Sequence, residues 1–154
     1  MENSSVVREL QVRYEDLNPN GHVSNTVYMS FFETMRLAYF KAIADYLDLG
    51  PLEAGELPEV RYVLAEATVR YKLPIFMEEP LYGTASIRTI GKRSYVMDYE
   101  LRVGESFEPG RSAAEGSSVQ VFYDLDAGNP QPRPEWFLSA VAAVEGHPEA
   151  SFAP

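Results

Sequence analysis

Four side chains that can hold or move a proton, or orient a substrate, crowd into one short stretch: Asp16, Asn18, Asn20 and His22 in Asp16-Leu17-Asn18-Pro19-Asn20-Gly21-His22. Directly after them, at Ser24 and Asn25, a helical pattern begins. The first backbone N–H groups of a helix have no partner within it and carry partial positive charge. Such groups can polarise a carbonyl and hold a developing oxyanion. A base or water-orienting group beside an oxyanion site is what ester or thioester hydrolysis requires. The same residue types are also ordinary turn and cap formers, so turn chemistry explains this stretch equally well.

The elements that would position these groups follow from periodicity. Leu10, Val12 and Tyr14 alternate with Gln11 and Arg13, which predicts a half-buried strand over residues 6–14. After the turn formers, Tyr28, Phe31, Phe32, Met35, Ala38, Tyr39, Ala42, Ile43 and Tyr46 recur at three- and four-residue steps. This predicts one amphipathic helix over about residues 25–47, capped by Ser24 or Asn25 and stopped by Gly50-Pro51. The period then returns to two. Val63, Ala65, Ala67, Val69 and Tyr71 alternate with Leu64, Glu66, Thr68 and Arg70. Further strands are expected at about 81–90, 95–103 and 112–123, with a turn at Gly91-Lys92 and a short helix at 135–144. The tail 147–154 should be flexible. One domain over residues 1–146 is expected, of the α+β class, with one long helix on a run of antiparallel strands. One helix covers one face of such a sheet. Leu64, Val96 and Phe122 are expected on the other face, where self-association would cover them.

Composition narrows the function classes. The chain has 154 residues and no cysteine, which excludes disulfides, thiolate zinc sites and a cysteine nucleophile. Lys plus Arg number 13 against 23 Asp plus Glu, a net charge of −10 that argues against a nucleic-acid partner. No long apolar run suggests a membrane span or a signal peptide, so the expected setting is cytoplasmic. There is no Gly-x-Ser-x-Gly elbow, phosphate-binding Gly-rich loop or His-Glu-x-x-His, and the two histidines, His22 and His147, give no metal-ligand spacing.

The stretch Asp16 to Arg36, Asp-x-Asn-Pro-Asn-Gly-His-Val-Ser-Asn-x-x-Tyr-x-x-Phe-Phe-Glu-x-x-Arg, resembles the signature of hotdog-fold acyl-CoA thioesterases of the 4-hydroxybenzoyl-CoA thioesterase type. That family's pattern reads Asp-Thr-Asp-x-x-Gly-His-Val-Asn-Asn, then a Tyr and a Phe-Glu-x-x-Arg. Tyr71-Lys72-Leu73-Pro74 resembles its Tyr-x-x-Pro, and Ile90-Gly91-Lys92-Arg93-Ser94 its next hairpin. The resemblance implies a hotdog fold, a long helix wrapped by a curved antiparallel sheet. It implies subunits paired through their sheets as a homodimer or dimer of dimers, active sites at the interface, and no metal or organic cofactor. The substrate it implies is an acyl-CoA, hydrolysed to the carboxylic acid and free CoA. Carried over, Asn25 or its neighbour supplies the carbonyl-binding N–H, Gly21 allows close approach, and Asn20 and His22 shape the pocket. Tyr28 and Tyr71 are further candidates for contact with substrate. Arg88, Lys92, Arg93 and Ser94 are candidates for the phosphates of CoA.

The sequence departs from the pattern at Asn18, where the family carries its usual carboxylate base or nucleophile. An amide orients water but does not accept its proton. Asp16, His22 or Glu33 is then left to handle the proton, Glu33 also being spaced to pair with Arg36. The alternatives are a protein that binds acyl-thioesters without turnover, or a hotdog enoyl-CoA hydratase. The hydratase fingerprint, Asp-x-Asn-Pro-x-His, differs here by one inserted residue. If the site is a weakened family site, Asn18→Asp preserves or raises thiol release from an acyl-CoA. Loss of that release in a folded Asn18→Asp protein would refute the carry-over at this position.

Overall fold

The computed structural model describes residues 6–154. Residues 1–5, part of the start read above as free of a targeting signal, lie outside the described residues. The elements run β1 (Val6–Leu10), α1 (Val27–Tyr46), β2 (Tyr62–Tyr71), β3 (Leu81–Ile90), β4 (Ser94–Val103), β5 (Arg111–Asp124), β6 (Asn129–Pro130) and α2 (Phe137–Glu145). The sheet order is β1-β3-β4-β5-β2, every pairing is antiparallel, and β6 is a two-residue addition to β5. Among the described residues no helix is long and apolar enough to cross a membrane.

The helical period places Tyr28, Phe31, Phe32, Met35, Tyr39, Phe40 and Ile43 on the buried side of α1. They meet the inward strand residues Met97, Tyr99, Leu101 and Ala114 in one core. Burying a large apolar side chain fully contributes about 1.5–3 kcal/mol, so this stripe holds the helix to the sheet. Phe32 stacks on Tyr99, with centroids 4.8 Å apart and planes at 11°. That stack needs glycine beneath it, because a Cβ on Gly116 would collide with the Phe32 ring and lie 2.6 Å from the Thr68 carbonyl. At the other end α2 seats Phe137 against Tyr95 and Phe122, each ring pair 5.1 Å apart.

Two buried polar clusters tie helices to strands. Arg36, 5% exposed, donates from Nε to the Tyr62 hydroxyl (3.0 Å) and from Nη1 to the Tyr99 hydroxyl (2.9 Å). The Tyr99 hydroxyl lies 2.7 Å from the Ser118 Oγ. Glu145, at the end of α2, accepts from the Tyr39 hydroxyl (2.7 Å) and from the Ile87 N–H (2.8 Å). The Ile87 N–H borders the register shift between Ile87 and Thr89, where the β3–β4 ladder is interrupted.

Several sequence expectations change. The first strand stops at Leu10, and Tyr14 is 77% exposed in a 3-10 turn, because the Asp16 carboxylate draws back the Arg13 N–H (2.9 Å). Leu64 does not alternate with Ala67, Val69 and Tyr71. The register slips between Leu64 and Glu66, so Ala65 is the extra residue and Leu64 lies on the helix side opposite Gln120. Phe122 also faces inward, under α2, leaving Val96 as the one of the three on the far face. Neither Ser24 nor Asn25 occupies the N-cap, which falls to Thr26 with no side-chain cap bond. The tail expected to be flexible forms a 3-10 turn, Glu149–Phe152, with Phe152 buried to 3% exposure.

Burial holds the Glu145 carboxyl above its ordinary 4.5, against the opposing pull of the Tyr39 and Ile87 hydrogen bonds. A raised acid favours the folded state when protonated, so this group's contribution to stability falls as pH rises from 4.5 through the folded value. Glu145→Gln keeps an acceptor and removes the charge. Thermal melts followed by circular dichroism should therefore show equal or higher stability than wild type at neutral pH, and no contribution from residue 145 to the pH dependence. Glu145→Ala strands both donors and should cost about 2–4 kcal/mol.

Candidate active site

The loop carrying the candidate residues is built from backbone outward. Leu17 and Val23 form an antiparallel bridge. Inside it the Asn18 N–H donates to the His22 carbonyl (2.9 Å) and the Gly21 N–H to the Asn18 carbonyl (2.9 Å). The Asn18 Oδ1 accepts the Asn20 N–H at 3.0 Å, an Asx turn in which the side chain replaces a backbone acceptor. Gly21 turns the chain at φ +88, a conformation open to glycine at no steric cost. The Val23 N–H donates to the Ile75 carbonyl (2.9 Å) and the Ser24 N–H to the Asp16 carbonyl (2.8 Å). The loop is thus closed on its own start and stapled to the segment at Ile75 just before α1 begins.

The opening of α1 is exposed. Asn20, Gly21, Asn25 and Thr26 all face solvent. Val27 N–H closes on the Ser24 carbonyl at 3.0 Å, Thr26 makes no side-chain cap bond, and the first turn holds no acidic residue. No acidic side chain of that turn offsets the partial positive charge there, which suits an oxyanion. From β2, the Tyr71 hydroxyl donates to the Asn25 carbonyl at 3.0 Å, and its ring meets Tyr28 edge-on, centroids 4.8 Å apart. Tyr28 is 3% exposed, and burial pushes its phenol up. Tyr28 is therefore part of the helix seat, where contact with substrate had been expected.

His22 is half-buried, with its ring edge-to-face on Phe76 at 6.2 Å. Its Nδ1 lies 3.4 Å from the Asn18 amide nitrogen and 3.4 Å from the Val23 carbonyl. Because the Asn18 Oδ1 is engaged by Asn20, the NH2 end of that amide faces the ring. The two contacts ask opposite roles of Nδ1, acceptor for the Asn18 NH2 and donor for the Val23 carbonyl, so the loop holds the ring in either tautomer.

Asp16 is not placed to act as a base. It is 3% exposed and takes Arg13 Nη2 on Oδ1 (2.9 Å) and the Arg13 N–H on Oδ2 (2.9 Å). The Arg13 guanidinium holds its carboxyl below the ordinary 3.8. Glu33 is exposed, about 9 Å along the helix from its first residue at about 1.5 Å per residue. Its nearest charge partner is Arg36 Nη2, at 3.8 Å.

The basic candidates lie at the other end of the sheet. Ser94 pairs with Val121 and Tyr71 with Ala114, seven residues back along β5. At about 3.3 Å per residue the hairpin and the helix opening are about 23 Å apart in one chain. Arg88 is further committed to Asp98, Nε to Oδ2 at 2.9 Å and Nη2 to Oδ1 at 3.1 Å. Lys92 and Arg93 are exposed, and the Ser94 carbonyl accepts the Gly91 N–H. The structural parts of Tyr71 and Ile75 are not signalled by the sequence. Arg36 is, since it falls between Phe32 and Phe40 at the i+4 spacing of the buried stripe.

A family model of the thioesterase-like superfamily matches residues 12–141. No curated protein matches the sequence. Among solved structures, a Thermus thermophilus thioesterase complexed with coenzyme A and Zn is 32% identical, with a TM-score of 0.77 over 96% of this chain and 99% of that one. A thioesterase-superfamily protein from Jannaschia sp. is 25% identical, with a TM-score of 0.72 over 92% of this chain and 83% of its own. A thioesterase from Bacillus stearothermophilus, described as predicted, is 22% identical, with a TM-score of 0.73 over 92% and 97%, a likeness of fold. The architecture is the hotdog fold. Among the described residues no group of three or more His, Asp or Glu is placed to hold a metal ion.

A group whose folded pKa is depressed stabilises the fold above its unfolded value and loses that contribution as pH falls through the folded one. Asp16→Asn should therefore unfold at lower urea than wild type at neutral pH. The gap should close on acidification below 3.8.

Proposed function

The chain belongs to the thioesterase-like superfamily, and from that premise we propose that it hydrolyses acyl-CoA thioesters to the carboxylic acid and free CoA. The observation that carries this is the solvent-facing entry to α1 at Asn25 and Thr26, with no side-chain cap bond and no acidic residue in the first helical turn, beside the Asn18–His22 loop. The thioester oxygen docks on the N–H groups of Asn25 and Thr26 at the N-terminal end of α1, beside the His22 ring. Water adds to the carbonyl carbon, the C–S bond breaks, and the thiolate leaves as the CoA thiol, its proton coming from the attacking water. Asn18 positions His22, and Asn20 and Gly21 line the approach. Asp16 serves as the anchor of the loop. The proton passes through His22 or solvent, or through Glu33 brought from a second copy.

The second copy follows from the edge of the sheet. β2 is a ten-residue edge strand with residues 64–68 exposed on both faces, Leu64 among them. It contains no proline, and such an edge is a template for pairing. Antiparallel pairing of β2 with its copy brings the partner's Tyr62 end beside this chain's Tyr71 end. The hairpin end of the partner's sheet then lies near this chain's helix opening. That end gathers basic residues on a chain of net charge −10. Arg61 and Arg93 carbonyls accept from Tyr123 and Phe122, and Lys92 accepts the Arg133 N–H. We assign the CoA phosphates to Lys92 and Arg93 of the partner, so that the homodimer is the working unit. Arg88, paired with Asp98, supports that hairpin.

One observation favours a second reading, a binder without turnover. Asn18 replaces the carboxylate, and its only oxygen is engaged by Asn20. A panel of acyl-CoAs with a free-thiol readout, alongside calorimetry with CoA, separates the two. Thiol release supports hydrolysis, tight binding without release supports the binder, and neither overturns both. With an active substrate, Lys92→Ala/Arg93→Ala should raise KM about tenfold with kcat unchanged, the loss of about 1.4 kcal/mol of phosphate binding.

A further inference from the structure

We propose that Tyr71 is a positioning residue that aims the Thr26 amide at the substrate carbonyl, a role that rests on the hydrolytic reading above. The hydroxyl of Tyr71, the last residue of β2, donates to the Asn25 carbonyl at 3.0 Å. A trans peptide is planar, with its C=O and N–H pointing in opposite directions. Fixing the Asn25 carbonyl toward β2 therefore fixes the Thr26 N–H away from it. In an uninterrupted helix the Asn25 carbonyl would take an N–H four residues on; here it takes the phenol. Thr26 has helical angles, φ −71 and ψ −21, and among the described residues its N–H donates to no backbone carbonyl, so this amide is open to a ligand.

The phenol is itself held on both sides. Its ring lies edge-on to Tyr28 at 80°, and Tyr28 belongs to the first turn of α1 and is buried. Beyond it, the Lys72 and Leu73 N–H groups both donate to the Ala113 carbonyl, at 2.9 and 3.1 Å. The end of β2 cannot shift without dragging β5. The strand therefore transmits the rigidity of the sheet to a single peptide plane at the helix opening. Tyr71 sits on the edge strand, so the amide it aims lies on the side where a second copy would add its own residues. The sequence alone reads Tyr71 as a substrate contact. The hydrogen bond turns it toward the backbone.

The test is Tyr71→Phe, which keeps the ring and its packing on Tyr28 and removes the hydroxyl that donates to the Asn25 carbonyl. With an acyl-CoA that wild type turns over, kcat should fall about tenfold, less than the loss of a whole oxyanion donor, with KM within about twofold. In 15N-labelled protein without ligand, the Thr26 amide resonance should shift and broaden while those of α2 stay in place. A rise in KM at unchanged kcat would make Tyr71 a substrate contact and overturn the proposal. So would a loss of kcat that only tracks the folded fraction, or an unmoved Thr26 resonance. Should wild type release no thiol from any acyl-CoA, the hydrolytic reading fails on its own, and the Thr26 resonance still decides whether Tyr71 aims that amide.

Discussion

The residues leading into α1 are tethered by hydrogen bonds, two of them to segments far away in sequence, and the candidate chemistry depends on those tethers. Val23 is bonded to Ile75, Ser24 to Asp16 and Asn25 to Tyr71. A helix end held only by its own chain frays, because its first N–H groups have no internal partners. Here the last residues before the helix belong to the sheet's framework, so the free amides that follow keep a fixed direction. Preorganised donors of this kind stabilise developing charge without reorganising at the moment of reaction. The absence of a side-chain cap on Thr26 fits this arrangement. A Ser or Asp cap at that position would satisfy the donors that a substrate carbonyl needs.

The same framework explains why polar groups are tolerated in the core. Arg36 is buried but reaches two phenols, one on the edge strand and one on a central strand. Glu145 fills donors offered by α1 and by an interrupted ladder. A buried polar group left unpaired costs about 1–3 kcal/mol, against about 1 kcal/mol contributed by a satisfied bond, so each cluster locks a helix to one register of the sheet. Tyr62 matters most in this respect. It is a β2 residue, and through Arg36 it ties the outermost strand to the helix.

Charge is distributed with the same economy. A chain with a net charge of −10 is poorly suited overall to a polyphosphate ligand. Arg13, Arg88, Arg102 and Arg111 are tied to carboxylates. Lys92 and Arg93 instead project from a hairpin at one end of the sheet, about 23 Å from the helix opening of their own chain on the strand spacing of about 3.3 Å. A ligand with a reactive thioester at one end and phosphates at the other suits two such chains better than one.

Periodicity alone determined most of the architecture. The three- and four-residue recurrence from Tyr28 to Tyr46 made α1 legible to within two residues, two-residue alternation located β4, and the strands expected at 81–90 and 112–123 fall on β3 and β5. These patterns are local consequences of side-chain geometry, so the sequence displays them directly. The motif from Asp16 to Arg36 likewise pointed to the superfamily before any coordinates. Three things required the tertiary structure. The bulge at Ala65 inverted the phase of Leu64, because an extra residue in a ladder is defined by the partner strand. The fate of Asp16 was decided by where Arg13 folds back. The distance between the loop and the basic hairpin was set by the register of β5, which no run of residues records. Sequence names the groups able to do chemistry; which of them remain free to do it depends on partners brought from elsewhere in the chain.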